Sequence, residues 1–315
     1  MKELARRVLF SLATFLGLAV VSFLGVDALP GDGCTALLGR FGSPAKVEAC
    51  RQENQLNDPV MVRLGDWSND LVRGDLGYSI KRDEQVSKII LPRIRNTGIM
   101  GALAALLAFP SAIVVGLLLG CYPRSRIGWV INHLSVIAMT LPEFVIATML
   151  WLLLAIWIPI FPGVNVVPSS ATVLQLLPNV WLPALTLAAV IFAHSMRTMR
   201  ASVSIIQTMP FVESARLRGT KEWVTIARHI LPAAMPPVVN VIAVDGAWLL
   251  TGTFVTEAVF NYQGLGRLAI DAISDRDTAL ILPIVLFGLA VYLAASLSAD
   301  MFVRLLDPRQ RTTGQ

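Results

Sequence analysis

Charged side chains are scarce in this chain of 315 residues. Asp, Glu, Lys and Arg together make up 15% of it, and the mean hydropathy is +0.66. A soluble domain would need polar faces between its apolar positions, whereas here apolar blocks of about 20 residues recur, which is the length that crosses a bilayer core as a helix. The shortage of charge therefore argues against a soluble domain and indicates an integral membrane protein.

The apolar blocks also lack a polar residue at every second position, which argues against a membrane β-barrel. Continuous apolar helices satisfy their own backbone hydrogen bonds in lipid. The predicted fold is therefore all-α with six transmembrane helices, and the fourth is short unless flanking residues join it. The expected spans are Val8 to Val26, Thr97 to Cys121, Trp129 to Ile158, Trp181 to His194, Met235 to Thr256 and Ala279 to Val303.

Basic residues are almost absent from the short loops on one side of these spans, which contain only Arg267 and Arg276. The positive-inside rule therefore places both termini in the cytoplasm, and the pI near 9.4 reflects topology rather than nucleic-acid binding. The first span is too long for the apolar region of a signal peptide, so an uncleaved anchor is expected. The residues on the basic side are Lys2, Arg6, Arg7, Arg124, Arg126, Arg197, Arg200, Arg216, Arg218, Lys221, Arg228, Arg304, Arg309 and Arg311.

Cysteine and histidine are equally scarce, with three of each. Cys34 and Cys50 lie in the charged region 27–96, which is expected outside the cytoplasm, whereas Cys121 lies at the cytoplasmic end of the second span. The plausible disulfide joins the first two, and two unpaired thiols are the alternative.

No histidine has a His, Cys or Asp residue three or four positions further on, so no metal site is expected.

One cytoplasmic segment, 196–229, is long enough to hold structure of its own. Helix formers precede Gly219, and an apolar-periodic run with Trp223, Ile226 and Ile230 follows it. This pattern predicts a short helix, a turn and a second helix against the membrane. Such an element can offer a rigid knob with a charged rim to a soluble partner. A cationic amphipathic helix could instead lie on anionic lipid headgroups.

This segment resembles a known motif. "ESARLRG" followed by "ARHILP" is similar to the E-A-A-x-x-x-G loop of permease subunits in ATP-binding-cassette importers of the type I fold. Four more segments, in order along the chain, resemble the first permease subunit of the dipeptide, oligopeptide and nickel family. The chain departs from the family at Gly33, Ser214, Leu217 and Gln263. The four segments are "ALPGD" (28–32), "LNDPV…GDLGYSI" (56–80), "TEAVFNYQGLGRLAIDAISDRD" (256–277) and "LLDPRQR" (305–311).

The resemblance implies a permease of the bacterial inner membrane that imports peptides or a similar solute. It divides the chain into a first helix (1–30), an extracytoplasmic insertion (31–94), a type 1 core (95–306) with a coupling loop at about 200–230, and a cytoplasmic tail (307–315). It also implies a homologous second permease subunit, two cytoplasmic ATPase subunits and an extracytoplasmic binding protein as partners, in contact with membrane lipid and without nucleic acid. The sequence has no G-x-x-x-x-G-K-[ST] phosphate loop, so no enzymatic activity and no cofactor are expected, and ATP and Mg²⁺ would bind to partner chains.

Three sets of candidate functional residues follow. Asp245 and Glu143 interrupt apolar spans, where a carboxylate needs a water-filled pathway or a partner chain. Together they could receive a cationic group, and a hydrogen bond between permease chains is the alternative for Asp245. Asp75, Gly264 and Gly266 are candidates for the side that meets the binding protein, the two glycines in a tight turn or re-entrant cap. The candidate ATPase contacts are Glu213, Ser214, Ala215, Arg216, Arg218 and Gly219.

Other classes of function stay open from the residues. A secondary transporter can have the same hydropathy, and an importer of nickel or another non-peptide solute is compatible with the resemblance. A membrane hydrolase would need a nucleophile and a base at membrane depth. Ser195 beside His194 is a possible start, but no G-x-S-x-G surround exists, and both residues are expected at the cytoplasmic edge.

Overall fold

The computed structural model describes residues 2–28, 31–38, 42–163 and 165–306. Pro30 of the first resembling segment and the predicted tail 307–315, with Arg309 and Arg311, lie outside these ranges.

A two-stranded antiparallel hairpin, β1 (Tyr78–Ser79) and β2 (Glu84–Gln85), precedes the long helix α5. The helices are α1 (Lys2–Asp27), α2 (Gly33–Leu38), α3 (Pro44–Glu53), α4 (Val60–Val72), α5 (Val86–Cys121), α6 (Arg126–Thr140), α7 (Glu143–Trp151), α8 (Val173–Ile206), α9 (Pro210–Leu217), α10 (Glu222–Thr225), α11 (Leu231–Val259), α12 (Leu265–Ser274) and α13 (Thr278–Leu306), with π-helical segments at Leu152–Trp157 and Ile226–Ile230.

Within the described ranges, five helices are long and apolar enough to cross a membrane, or six when the bent pair α6 and α7 counts as one span. This confirms the predicted all-α membrane fold. The span predicted from Trp129 to Ile158 is not one continuous helix, because α6 and α7 meet at an angle of 119°. Leu141 is extended there, with ψ 138°, as expected for a residue that precedes a proline, here Pro142.

The fourth span is much longer than predicted, because α8 has 34 residues. A capping box of Thr172 and Gln175 begins the helix well before the predicted start. Buried apolar residues continue past the predicted end at His194, namely Met196, Met199 and Val203. His194 and Ser195 therefore lie within α8, well before its last residue Ile206, rather than at the end of the helix.

Helix α8 is the centre of the bundle. It packs against α5 along most of its length and also against α6, α7 and α11, whereas α1 packs at the periphery against α13. The largest apolar cluster joins Met100, Ala104 and Ala108 of α5 to Leu187 and Ile191 of α8. Small side chains on α5 let the two helix backbones approach closely, as is typical of membrane bundles.

The insertion comprises α2, α3, α4 and the hairpin, and it covers one end of the bundle, here called the insertion end. Cys34 of α2 and Cys50 of α3 are joined by a disulfide. The opposite end carries α9 and α10 and is called the α9 end. Helix α5 begins at Val86, so the boundary predicted between residues 94 and 95 falls inside it.

Two further contacts attach the insertion to the membrane helices. Arg63 of α4 pairs with Asp27 at the end of α1, and Ser79 of β1 donates a hydrogen bond to Asp277, which precedes α13. Burial raises the pKa of Asp277, and the hydrogen bond from Ser79 opposes part of that rise. The insertion is therefore anchored at both the first and the last helix of the bundle.

Candidate functional site

Helix α9 ends in a glycine-dependent turn. Gly219 has φ +74°, in the left-handed region. The N–H of Gly219 donates to the Arg216 carbonyl at 2.9 Å, and the N–H of Thr220 donates to the Ala215 carbonyl at 3.3 Å. This pair of bonds is a Schellman motif, in which the left-handed residue is usually glycine because it has no Cβ to clash. The predicted helix break at Gly219 thus has a specific geometry.

One face of α9 is buried and the other is exposed. Val212 and Ala215 are fully buried, and Val212 packs with Met199 and Val203 of α8 and Ile230. Ala215 thus packs α9 against the bundle and is not itself available to an ATPase subunit. The remaining candidate contact residues are exposed, namely Glu213, Ser214, Arg216, Arg218 and Gly219.

The exposed face of α9 also contains apolar residues that the sequence analysis did not select. Phe211 and Leu217 on α9, and Trp223 on α10, are all exposed, with Leu217 at 82%. Arg216 and Glu222 form a two-point ion pair beside them, with N–O distances of 2.7 and 3.2 Å. The α9 end thus exposes both apolar and charged side chains.

Asp245 lies at the middle of α11 and has two partners on α8. Its Oδ1 is 2.7 Å from Nδ1 of His194, and its Oδ2 accepts a hydrogen bond from Oγ of Ser195 at 2.9 Å. Because a carboxylate oxygen only accepts, Nδ1 of His194 is the donor in this pair. The Asp245 side chain is 9% exposed and the His194 side chain 44%. The imidazole, rather than the carboxylate, is therefore the group presented at the surface of the bundle.

The arrangement of Ser195, His194 and Asp245 is not a hydrolytic triad. In a triad the serine hydroxyl bonds to the imidazole that deprotonates it. Here the Ser195 hydroxyl donates to Asp245 instead, so the imidazole of His194 is not placed to deprotonate it. The sequence analysis missed His194 as a partner of Asp245 because it ended the fourth span there. The apolar periodicity that continues through Met196, Met199 and Val203 was the available signal.

Glu143 does not share a site with Asp245. It is the first residue of α7, and its carboxylate accepts a hydrogen bond from Thr256 of α11. Thr256 follows Asp245 by eleven residues, or about 16 Å along a helix. The two acids predicted to act together are thus held separately, each by its own hydroxyl partner.

A buried carboxylate also organises the insertion end. Glu257 is fully buried; it accepts a hydrogen bond from Oγ1 of Thr97 at 2.5 Å and one from the N–H of Arg267 at 3.0 Å. Gly264 and Gly266 approach it so closely that a Cβ on Gly264 would overlap the carboxylate. The lack of a side chain on these glycines permits the close approach. The backbone conformation does not itself require glycine at Gly264, because the chain there is extended.

Asp75, the third candidate at this end, is exposed and accepts a hydrogen bond from the N–H of Gly77 at 2.9 Å. It lies in the loop before the hairpin. Among the described residues, no hydrogen bond joins its side chain to Glu257, Gly264 or Gly266. Among the described residues, no three His, Cys, Asp or Glu side chains come close enough together to hold a metal ion.

Comparisons with known proteins agree with this architecture. Residues 112–312 match the family described as the inner membrane component of binding-protein-dependent transport systems. The chain is 29% identical to the oligopeptide transport system permease protein AppB of Bacillus subtilis, over 96% of this chain and 97% of that protein. It is 24% identical to the dipeptide transport system permease protein DppB of Alkalihalophilus pseudofirmus, over 96% and 97%.

The fold is also similar to a solved structure, the crystal structure of an amino acid ABC transporter with histidines. That match has a TM-score of 0.51 at 18% identity and covers 69% of this chain and 94% of the other. The chain therefore belongs to the inner membrane components of binding-protein-dependent transport systems. It is a multi-pass permease subunit of an ATP-binding-cassette importer in the inner membrane, rather than a secondary transporter or an enzyme.

Proposed function

We propose that this chain is the first of two homologous permease subunits in a peptide importer. Two of its relatives are named as permease proteins of oligopeptide and dipeptide transport systems, which supports the choice of substrate. Two ATPase subunits, which bind ATP and Mg²⁺, dock at the α9 end, and a binding protein delivers the peptide at the insertion end. Both termini and the α9 end face the cytoplasm, as the distribution of basic residues indicates.

The observation that carries this proposal is the two-sided character of α9. Its buried face, with Val212 and Ala215, is packed onto the ends of α8 and α11, so α9 cannot move without them. Its exposed residues include the apolar side chains of Phe211 and Leu217 and the charged side chains of Glu213, Arg216 and Arg218. A soluble ATPase that grips the exposed face would therefore transmit its own motion directly to two membrane helices.

We further place the pathway along the surface where His194 is exposed. A polar side chain that is exposed at membrane depth must face water, substrate or a partner chain rather than lipid. Asp245 holds the imidazole of His194 through Nδ1, which leaves Nε2 to bind a ligand. This placement revises the expectation that the Asp245 carboxylate itself meets the substrate.

Docking of the ATPase is tested by substitution of Leu217. Leu217→Asp replaces a strongly exposed apolar side chain with a charge without disturbing the buried face of α9, so we expect loss of ATPase subunits from the purified complex and loss of ATP-driven peptide uptake. Val72→Asp is the matched control, because Val72 is 88% exposed at the insertion end. Normal ATPase recovery and uptake with Leu217→Asp would refute docking at α9.

The pathway is tested by two substitutions in the membrane cluster. His194→Gln keeps a polar group, and Asp245→Asn removes the charge that fixes the imidazole. We expect both variants to assemble with the ATPase subunits and to hydrolyse ATP, but to take up labelled dipeptide several-fold more slowly. If Asp245→Asn instead lowers the yield of assembled complex while His194→Gln has no effect, the cluster joins permease chains and does not line the pathway.

A further inference from the structure

A small basic pocket lies between α6 and α8 toward the α9 end. Its volume is about 250 Å³, and it is lined by Asn132 of α6 and by Arg197, Arg200, Ala201 and Ser204 of α8. None of these lining side chains is acidic. Two guanidinium groups therefore share a confined space on one face of α8, since residues three positions apart are neighbours on a helix.

Among the described residues, no carboxylate pairs with either arginine. Arg200 donates a hydrogen bond to the neutral Asn132 side chain, which holds it against α6. No hydrogen bond or ion pair joins Arg197 to another side chain in the part of the chain that the structure describes. A guanidinium group has five N–H donors, so most of the donors of the pair remain available for an anion.

The wall of the pocket on α6 continues into an exposed apolar strip. Trp129, Val136 and Met139 lie three, four and seven positions from Asn132, so they share its helix face, and all three are exposed. Trp129 is in the first turn of α6, which begins at Arg126. Tryptophan so placed is typical of the boundary between water and lipid. The pocket thus lies at headgroup level, with apolar surface leading from it toward the membrane interior.

We propose that this pocket binds the phosphate of an anionic phospholipid, whose acyl chains lie along Val136 and Met139, with Trp129 beside the headgroup. The two guanidinium groups match phosphate oxygens, which accept several charge-assisted hydrogen bonds. The apolar strip favours a lipid over a soluble anion or an acidic protein segment. Basic pockets between membrane helices are a known mode of headgroup binding. The bound lipid would connect α6 to the part of α8 that leads into α9.

The experiment uses the assembled transporter, purified in detergent and depleted of lipid. Phosphatidylglycerol, phosphatidylcholine or inorganic phosphate is added back at equal concentration, and bound lipid is measured by native mass spectrometry together with the melting temperature. We expect phosphatidylglycerol to bind and to raise the melting temperature, and the other two to do neither. The double variant Arg197→Gln/Arg200→Gln should bind phosphatidylglycerol about ten-fold more weakly or worse, because two charge-assisted contacts are lost.

Two further variants make the result specific. Ser204→Asp keeps both arginines but places a competing carboxylate at the pocket, so it should weaken lipid binding even if the double variant assembles poorly. Arg124→Gln removes an exposed arginine at the same end that does not line the pocket, and it should bind lipid normally. An equal response to inorganic phosphate would show a site for free anions, and an equal response to phosphatidylcholine would show that the pocket does not select a lipid of net negative charge; either would overturn the proposal. Displacement of the lipid by a soluble dipeptide would also overturn it, by making the pocket part of the substrate pathway.

Discussion

Glycine is required at both ends of this bundle, but for different physical reasons. At the insertion end, Gly264 and Gly266 have no room for a side chain because Glu257 and the backbone of Phe254 occupy that space. At the α9 end, the space around Gly219 is open, and only its positive φ restricts the residue. The first end is thus a filled core around a buried acid, whereas the second is an exposed surface shaped by the backbone. Their responses to substitution should differ accordingly.

The largest expected effect is at the insertion end. Gly264→Ala would push a methyl group into the Glu257 carboxylate, which Thr97 and the Arg267 N–H hold in place, so we expect a loss of about 3 kcal/mol or more in the free energy of unfolding. Thermal unfolding of the purified protein measures it. Gly98→Ala is the control, since a Cβ there meets nothing within 4 Å. Equal stability of the two variants would contradict the filled core.

The disulfide of the insertion ranks next. It closes a loop of 16 residues, so Cys34→Ser/Cys50→Ser should lower the stability of the insertion by about 3 kcal/mol in the chain-entropy model. The effect should be local, and hydrogen exchange should rise in residues 31–72 but not in α5 or α8. Cys121→Ser, at a free thiol, is the control. Unchanged exchange in the insertion, or recovery of both thiols free from isolated membranes, would refute a structural bridge.

Acid should sharpen the effect of removing the disulfide. Asp32 and Arg51 form an ion pair at 2.6 Å across the same two helices. Partial burial raises the pKa of Asp32, but hydrogen bonds from the Thr35 N–H and from Arg51 outweigh burial, and the net pKa lies below its ordinary value. A carboxyl with a lowered pKa stabilises the fold above its ordinary pKa of 3.8 and stops doing so as the pH falls through the folded value. The protection of the disulfide-free variant against hydrogen exchange, measured relative to the intrinsic exchange rate at each pH, should therefore fall further below about pH 4, and Asp32→Asn should remove that pH dependence.

Substitution of Gly219 should have an intermediate effect. Gly219→Val forces a β-branched residue into φ +74°, which costs about 1 to 2 kcal/mol, and it should also uncouple ATP hydrolysis from uptake because the turn positions α9. Gly219→Asn is the matched control, since asparagine tolerates the left-handed region. Transport and unfolding measurements on both variants test this, and a valine variant as active as the asparagine variant would show that the turn does not matter.

The smallest expected effect concerns the ion pair on the exposed rim. The Arg216 and Glu222 side chains are 40% and 49% exposed, so solvent screening leaves the pair worth about 0.5 kcal/mol or less. Arg216→Gln should barely change thermal unfolding. The charge swap Arg216→Glu/Glu222→Arg keeps a pair and serves as the control. A loss of stability comparable to that of Gly264→Ala would remove the contrast between the two ends.

Hydropathy alone gave the membrane class and the number of spans, because a bilayer requires apolar helices of a fixed length. The ends of helices were harder. Arg197 and Arg200 suggested an end to the fourth span, yet α8 continues through them since its other face, with Met196, Met199 and Val203, is fully buried. Pro142 is a local source of bending, but the resulting angle depends on the packing of α7 against α8 and α11.

The candidate sites were predictable only where a local pattern carries them. The helix, turn and helix around Gly219 follow from propensity, so they were found. The partners of Asp245 lie about fifty positions earlier in the chain and those of Glu143 more than a hundred positions later, and no periodicity reports such distant pairs. The burial of Glu257 was missed for the same reason, because its partner Thr97 lies 160 positions earlier in the chain.

The break between α6 and α7 gives the third span a mechanical property that the other spans lack. Backbone groups that leave a helix at membrane depth are tolerated only beside protein or water, so Leu141 cannot be covered by acyl chains. A span already divided there has two helical arms joined at Leu141, with α6 packed against α8 and α7 packed against α8 and α11. Opening of the bundle would then require rotation about one residue, without the melting of a single helical turn.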